Sequence, residues 1–319
     1  MDAATLNAIA SQFNSDIAAP NFWGKLLAHY TTLSALEGIA TSKELWFSHP
    51  FVMNDHEEVA FGLNLGTTAV MNDVVLKAAL GSRERVTAFI DSFLGYRAHY
   101  DQNFLFDTYV FCLSDHDPDN DEDGRLSMWR AYGGDGAGAA IIFDTSKLRS
   151  EQSSPLILDE VKYLSSAQRN LWAAGFVATI GALAVRHQLI DTDLPLLAKL
   201  AFERLTLAAI FSKHQGFSEE REYRVVYMPE RDPQGHFRPF LHYHIGPRGA
   251  EPRLRMKLAP MAGVLAEDLS LEKLVHHIIL GPSRTSPLAL GSTARMLRIH
   301  SHDRLAATLT YSKIPYRKL

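Results

Sequence analysis

Residues 217–226 read Phe-Ser-Glu-Glu-Arg-Glu-Tyr-Arg-Val-Val. Acids and arginines run straight into a β-branched and aromatic stretch, Tyr223 to Tyr227, which is the pattern of a strand with a charged entrance. Alternate residues of a strand share a face. Glu220, Glu222 and Arg224 are therefore expected on one face, and Arg221, Tyr223 and Val225 on the other. Two carboxylates and a guanidinium are costly to bury unpaired. The chain must either set them in a solvated ion-pair ladder or turn them into a pocket.

The rest of the sequence supplies the core that such a strand needs. Of 319 residues, 46% are hydrophobic and 21% charged, enough to bury a substantial interior. Strands are predicted near residues 25–31, 45–48, 108–114, 139–143, 161–164, 221–228, 238–245, 253–258, 276–280 and 297–300. Helices are predicted near Ser34 to Ala40, with Thr32 or Ser34 as cap, at Leu126 to Tyr132, and at Pro287 to Met296. Turns are expected at Pro20-Asn21 and Asn54-Asp55. Strand runs punctuated by helical blocks give an α+β fold. The reading is one domain over 1–319, with a split, mostly antiparallel sheet and helical insertions at 66–103 and 165–212.

Composition narrows function only partly. A net charge of −4 speaks against a strongly basic grip on nucleic acid. The single cysteine, Cys112, rules out an intrachain disulfide and reads as a small hydrophobe in a strand. The first twenty residues lack the basic start and long apolar core of a secretion signal. The most apolar helix, Leu171 to Val185, is too short for a membrane span. A soluble, cytoplasmic protein with no membrane partner is expected.

Several clusters carry candidate chemistry. His29-Tyr30-Thr31 ends an early strand, where a histidine beside a threonine can hydrogen-bond a sugar hydroxyl. Trp129, Arg130 and Tyr132 stand beside glycines 133, 134, 136 and 138. Aromatics beside glycine suit a stacked planar ring, and Arg130 could fork onto a phosphate. Equally, the block reads as an aromatic core helix with a glycine cap. These glycines precede a strand and so are not a dinucleotide fingerprint. Asp119 to Gly124 imitates half a calcium loop, but Arg130 falls where the closing acid belongs. His242 and His244 share a strand face without an obvious third ligand, and His276 and His277 are expected on opposite faces. No metal site is assigned.

Together the segments resemble a large bacterial family of domains of unknown function. The resemblance is carried by Tyr30-Thr31, Ser48-His49-Pro50, Met53-Asn54-Asp55 and the Met128-Trp129 to Tyr132-Gly133 block. Lys213, Glu220 to Arg224, Ile279-Leu280-Gly281-Pro282 and Ser312 to Arg317 complete it in order. Phe217 replaces a frequent tryptophan, and His49 interrupts the commoner Ser-Pro.

The order of histidine, aromatic block and Glu-x-Glu strand is also similar to the ADP-ribosyltransferase superfamily. That resemblance implies NAD as substrate, bound in a cleft between two small sheets. It implies a ribose contact from His29 with Tyr30 and Thr31, stacking by Trp129 or Tyr132, and phosphate contacts from Arg130 or Arg224. Glu222 would be the catalytic carboxylate, with Glu220 engaging the acceptor or supporting Glu222. The implied activity is transfer or hydrolysis at the nicotinamide–ribose bond, as in a toxin or phage-defence effector. The acceptor (nucleic acid, protein or water) and any inhibitor partner stay open. Two other readings compete: a metal-dependent phosphoesterase or nuclease using the acidic loop with His242 and His244, and a non-catalytic binding or regulatory module.

Overall fold

The computed structural model describes residues 1–14, 24–50, 56–103, 107–148, 154–246 and 249–316. The predicted turns at Pro20-Asn21 and Asn54-Asp55, and Arg317 of the terminal motif, lie outside these residues. In chain order the first elements are α1 (Ala3–Phe13), β1 (Leu26–Thr31), α2 (Leu33–Ser42), β2 (Glu44–Ser48), α3 (His56–Asn72), α4 (Val74–Leu80) and α5 (Arg83–Asn103). Next come β3 (Tyr109–His116), α6 (Leu126–Ala131), β4 (Ala139–Asp144), β5 (Leu156–Glu160), β6 (Lys162–Leu164), α7 (Ser166–Arg186) and α8 (Leu194–Ile210). Then follow β7 (Ser212–His214), β8 (Glu222–Tyr227), β9 (Leu241–Gly246), β10 (Gly249–Lys257), α9 (Leu271–Leu274) and β11 (Val275–Leu280). The last are α10 (Pro287–Ile299), α11 (Asp303–Ala307) and β12 (Leu309–Tyr311). The fold is α+β, with a mostly antiparallel sheet.

The chain divides into two compact units. The first comprises Met1–Pro20, Pro50–Thr108 and Val161–Ser218, and both helical stretches at 66–103 and 165–212 fall in it. Among its described residues the elements are helical apart from the short parallel pair β6–β7. Glycines let its helices approach closely: a Cβ at Gly66 of α3 would lie 2.2 Å from Leu205 of α8, and one at Gly62 3.1 Å from Ala209. Ser165 and Gln168 form a capping box that satisfies the first turn of α7. Among the described residues, no single helix is long and apolar enough to cross a membrane.

The second unit comprises Asn21–His49, Tyr109–Glu160 and Glu219–Leu319, and it holds a ten-stranded sheet. The main path runs β12-β11-β4-β1-β3-β2-β10-β9, with β8 and β5 branching from β3. Among the described residues, only β11 and β12 pair in parallel within it. The branch is explained by register. Ser114 pairs with both Ala28 and Glu222, and Val110 with both Ser48 and Val226. One edge of β3 is thus held by β8 along its length, while β1 and β2 share the other edge from opposite ends. The sheet splits between β1 and β2, and the carbonyl of Cys112 faces the gap.

Alternation sorts the side chains into two faces. Leu27, Phe47, Phe111, Phe143, Tyr223 and Tyr227 fill the main core. The other face carries Ala28, Tyr30, Ala140, Ile142 and Ile279, covered by Met128 and Trp129 of α6. Trp129 is fully buried, edge-on to Tyr30 at 4.9 Å between ring centres, and its Nε1 donates to the Asp123 carbonyl at 2.9 Å. The glycine run makes room for this indole. A Cβ at Gly133 would lie 2.5 Å from Trp129 Cε3, and one at Gly138 only 2.1 Å from the Thr31 carbonyl oxygen.

One predicted strand is corrected. Residues 297–300 end helix α10, because the Pro287 start and Ser286 cap carry the helix through Ile299. The final strand is β12, which supplies the parallel partner of β11. Strands β5, β7 and β12 were not foreseen, being short and only weakly alternating in hydrophobicity.

Gly138→Ala should destabilise the second unit by about 3 kcal/mol through overpacking against backbone. Chemical denaturation followed by tryptophan fluorescence checks this, because Trp129 reports the same packing.

Candidate functional site

The face of the sheet beneath α6 gathers the polar residues that the fold cannot solvate. Glu222 and Arg224 lie on β8 and point to this face, opposite to Tyr223, Val225 and Tyr227. They are 4% and 2% exposed. Arg224 Nε donates to Glu222 Oε1 at 2.8 Å, and Nη2 to Oε2 at 3.0 Å. A fork of this kind satisfies both oxygens of a carboxylate. The pair is a buried ion pair, which the low-dielectric interior tolerates only when geometry is this complete.

Glu220 departs from the expected alternation. Strand β8 begins at Glu222, and Arg221 adopts a left-handed backbone, φ 42°. That kink ends the alternation, so Glu220 sits in the preceding 3₁₀ turn and not on the strand. Its carboxylate reaches solvent and accepts from the Tyr132 hydroxyl at 2.9 Å. Tyr132, just past the end of α6, is 37% exposed. Two of the sequence-predicted site residues, Tyr132 and Glu220, are thus brought together, whereas Glu222, expected as the catalytic carboxylate, lies in the buried pair with Arg224.

The remaining predicted residues go elsewhere. His29 lies on β1 with its ring on the opposite face, stacked on Phe111 at 4.5 Å. Its Nδ1 donates to the Cys112 carbonyl at 3.0 Å, filling the split between β1 and β2. Burial lowers its pKa, outweighing the opposing effect of that hydrogen bond. Tyr30 faces α6, and its hydroxyl accepts from Arg125 N at 2.9 Å. Burial pushes the Tyr30 pKa up to about 12. Thr31 pairs with Ala139 at the end of β1. Trp129 is buried, and Arg130 lies over the Tyr316 ring, 5.0 Å from its centre.

Arg125 is the residue the sequence reading missed. Its Nη1 donates to Ser114 Oγ at 3.0 Å and its Nη2 to Asp121 Oδ2 at 2.7 Å. Nη2 also reaches the Asp115 carbonyl. Ser114 Oγ in turn donates to the Glu220 carbonyl at 2.6 Å. Arg125 thereby ties the acidic loop to β3 and to the turn that carries Glu220. Burial alone would raise the Asp121 pKa, but the hydrogen bonds and charge of Arg125 prevail and lower it. The signal available in the sequence is the helical spacing of Asp121 and Arg125, four residues apart. The other loop acids are also engaged: Glu122 with Lys313 Nζ, and Asp123 with Lys313 N, each at 2.7 Å.

A histidine cluster lies on the same face. His116, on the continuation of β3 past Ser114, is 4% exposed, and its Nδ1 is buried without a hydrogen-bond partner. Its ring centre is 5.8 Å from that of His277. His276 and His277, expected on opposite faces, instead share a hydrogen bond between their Nδ1 atoms at 2.8 Å. The reason is a bulge in β11 between Val275 and His277, which breaks the strand alternation. Burial, then the neighbouring His276 and His116, lower the His277 pKa to about 4. Burial also lowers that of His116. Among the described residues, no group of three or more His, Cys, Asp or Glu is arranged to hold a metal ion. His242 and His244 lie exposed on β9, remote in register from these residues.

Two outcomes follow. Glu222→Ala leaves Arg224 buried without its fork and should cost about 3–5 kcal/mol, whereas Glu222→Leu with Arg224→Met should recover most of it; urea denaturation measures both. His116 and His277 resist protonation in the folded state, while the unfolded chain binds protons at the ordinary histidine pKa of 6.5. Stability should therefore be full above that value and fall as pH drops toward about 4, and His277→Gln should flatten this slope in thermal melts across that window.

No curated protein and no solved structure matches the chain. Residues 128–225, from Met128 in α6 to Val225 in β8, match the model of a protein family of unknown function, DUF2971.

Proposed function

We propose that the protein cleaves the nicotinamide–ribose bond of NAD, as a glycohydrolase or an ADP-ribosyltransferase, with Glu220 as the acting carboxylate. The observation that carries the reading is the hydrogen bond between Tyr132 and Glu220, 2.9 Å long and open to solvent. An aromatic ring and a carboxylate held together at an accessible edge suit a planar, positively charged leaving group. In the reaction the C1′–N bond breaks and its electron pair leaves with nicotinamide, discharging the pyridinium. The ribose passes through an oxocarbenium-like state, as in glycoside hydrolysis. A carboxylate beside that developing charge stabilises the transition state more than the ground state. The incoming oxygen of water or of an acceptor forms the new C1′–O bond, and its proton passes to Glu220.

Glu222 and Arg224 act in this reading as positioning residues. Their buried fork fixes β8, and through the kink at Arg221 it fixes the turn that presents Glu220. The reading assigns no substrate contact to His29 or Trp129, whose rings are engaged in packing.

The same buried fork favours a second reading, a binding or regulatory module without chemistry, in which Glu222 and Arg224 serve stability alone. Nicotinamide release separates the two. Purified protein is incubated with NAD, alone and with cell lysate or nucleic acid, beside Glu220→Gln and Tyr132→Phe variants. Glu220→Gln should lower turnover about 100-fold or more while leaving NAD affinity nearly intact, and Tyr132→Phe should lower it less. Absence of release and of NAD binding by calorimetry would select the non-catalytic module.

A further inference from the structure

Strand β9 ends the main path of the sheet, and among the described residues no strand pairs with its outer edge. It is exposed along its centre on both faces: Tyr243 is 67% and Ile245 76% exposed. Edge strands are ordinarily protected by lysines, prolines or inward charges. Residues 241–246, Leu-His-Tyr-His-Ile-Gly, contain none of these. Pro252 of β10 stands opposite Tyr243 and has no N–H to give. The Tyr243 carbonyl instead takes a hydrogen bond from His242 Nδ1 at 2.7 Å and keeps a second lone pair. The Tyr243 carbonyl is therefore not consumed by Pro252.

The residue pattern is self-complementary. Reading outward from Tyr243, each direction gives histidine and then a large aliphatic residue: His242 and Leu241 one way, His244 and Ile245 the other. A two-fold axis is what such a pattern fits, because an isologous interface sets each residue against its symmetry counterpart. We infer that β9 pairs antiparallel with β9 of a second copy of this chain, on a two-fold axis at Tyr243. In that register Tyr243 meets its own counterpart, His242 meets His244, and Leu241 meets Ile245. No charged side chain of the strand opposes a like charge. The side chains of Tyr243 and Ile245 meet their counterparts on one face, and the histidines on the other. A strand edge alone is smaller than the roughly 800 Å² per partner of a stable interface, so the dimer should be concentration-dependent.

Light scattering on the full chain from about 1 to about 100 µM should show mass rising from monomer toward dimer. Tyr243→Lys with Ile245→Lys, both at exposed positions, should remain monomeric throughout with unchanged circular dichroism. Register is tested by cysteine cross-linking. Counterpart Cα atoms in an antiparallel pair lie about 4.5–5.5 Å apart, within disulfide reach. Tyr243→Cys should oxidise rapidly to a covalent dimer, and His242→Cys, which faces residue 244 of the other copy, should lag well behind. A monomeric wild type at every concentration, a dimer that survives the lysine pair, or equal cross-linking at both positions would overturn the inference.

Discussion

The guanidinium of Arg125 meets three parts of the sheet unit at once: the Asp121 carboxylate, the Ser114 hydroxyl and the Asp115 carbonyl. Its own backbone N–H goes to the Tyr30 hydroxyl. A guanidinium has five donors and no way to shed its charge, so once partly buried it organises whatever acceptors surround it. The acidic run from Asp115 to Asp123 would repel itself without such a centre. With it, the loop closes over α6, and the Ser114 hydroxyl is turned to the Glu220 carbonyl. The accessible carboxylate of the proposed site thus depends on an arginine that makes no contact with that carboxylate.

Burial of Trp129 is the second constraint, and it explains residues that look functional in isolation. Glycines beside large aromatics suit a ligand ring and suit an internal indole equally well, because both need backbone at van der Waals distance. Here the indole of the chain itself occupies the space, and Gly133 and Gly138 are limited by Trp129 and by the backbone of Thr31 and Gly133. The same logic governs His29. A histidine at the end of a strand can serve a sugar, but here the Cys112 carbonyl lies at the split between β1 and β2, and His29 hydrogen-bonds it. An unsatisfied buried carbonyl is costly, which gives this contact a structural reason of its own.

The polar face beneath α6 is economical in its use of charge. Arg224 and Glu222 neutralise each other inside it, Arg125 and Asp121 at its rim. Burial disfavours the charged form of His116 and His277, and for His277 the neighbouring histidines add to it. The Tyr132–Glu220 pair reaches solvent beside this matched interior. That division between a buried, matched pair and the accessible carboxylate of Glu220 is the electrostatic basis of the proposed chemistry.

Local chemistry fixed much of the fold in advance. Apolar residues at helical spacing marked the long helices of the first unit, and short runs of aliphatic, aromatic or β-branched residues marked β1, β2, β3, β4, β8 and β11. The side of β8 that carries Glu222 and Arg224 followed from a period of two, and that period holds from Glu222 onward. The sequence could not reveal where the period breaks: at Arg221, whose left-handed backbone moves Glu220 off the strand, and in the β11 bulge that turns His276 toward His277. Nor could it show that Arg125 and Ser114 join the site, since their partners come from separate elements. Alternation and propensity act over a few residues and are written in the chain. Which face is dry, which carboxylate is matched and which reaches water depend on strands paired across more than a hundred residues, and only the tertiary structure decides them.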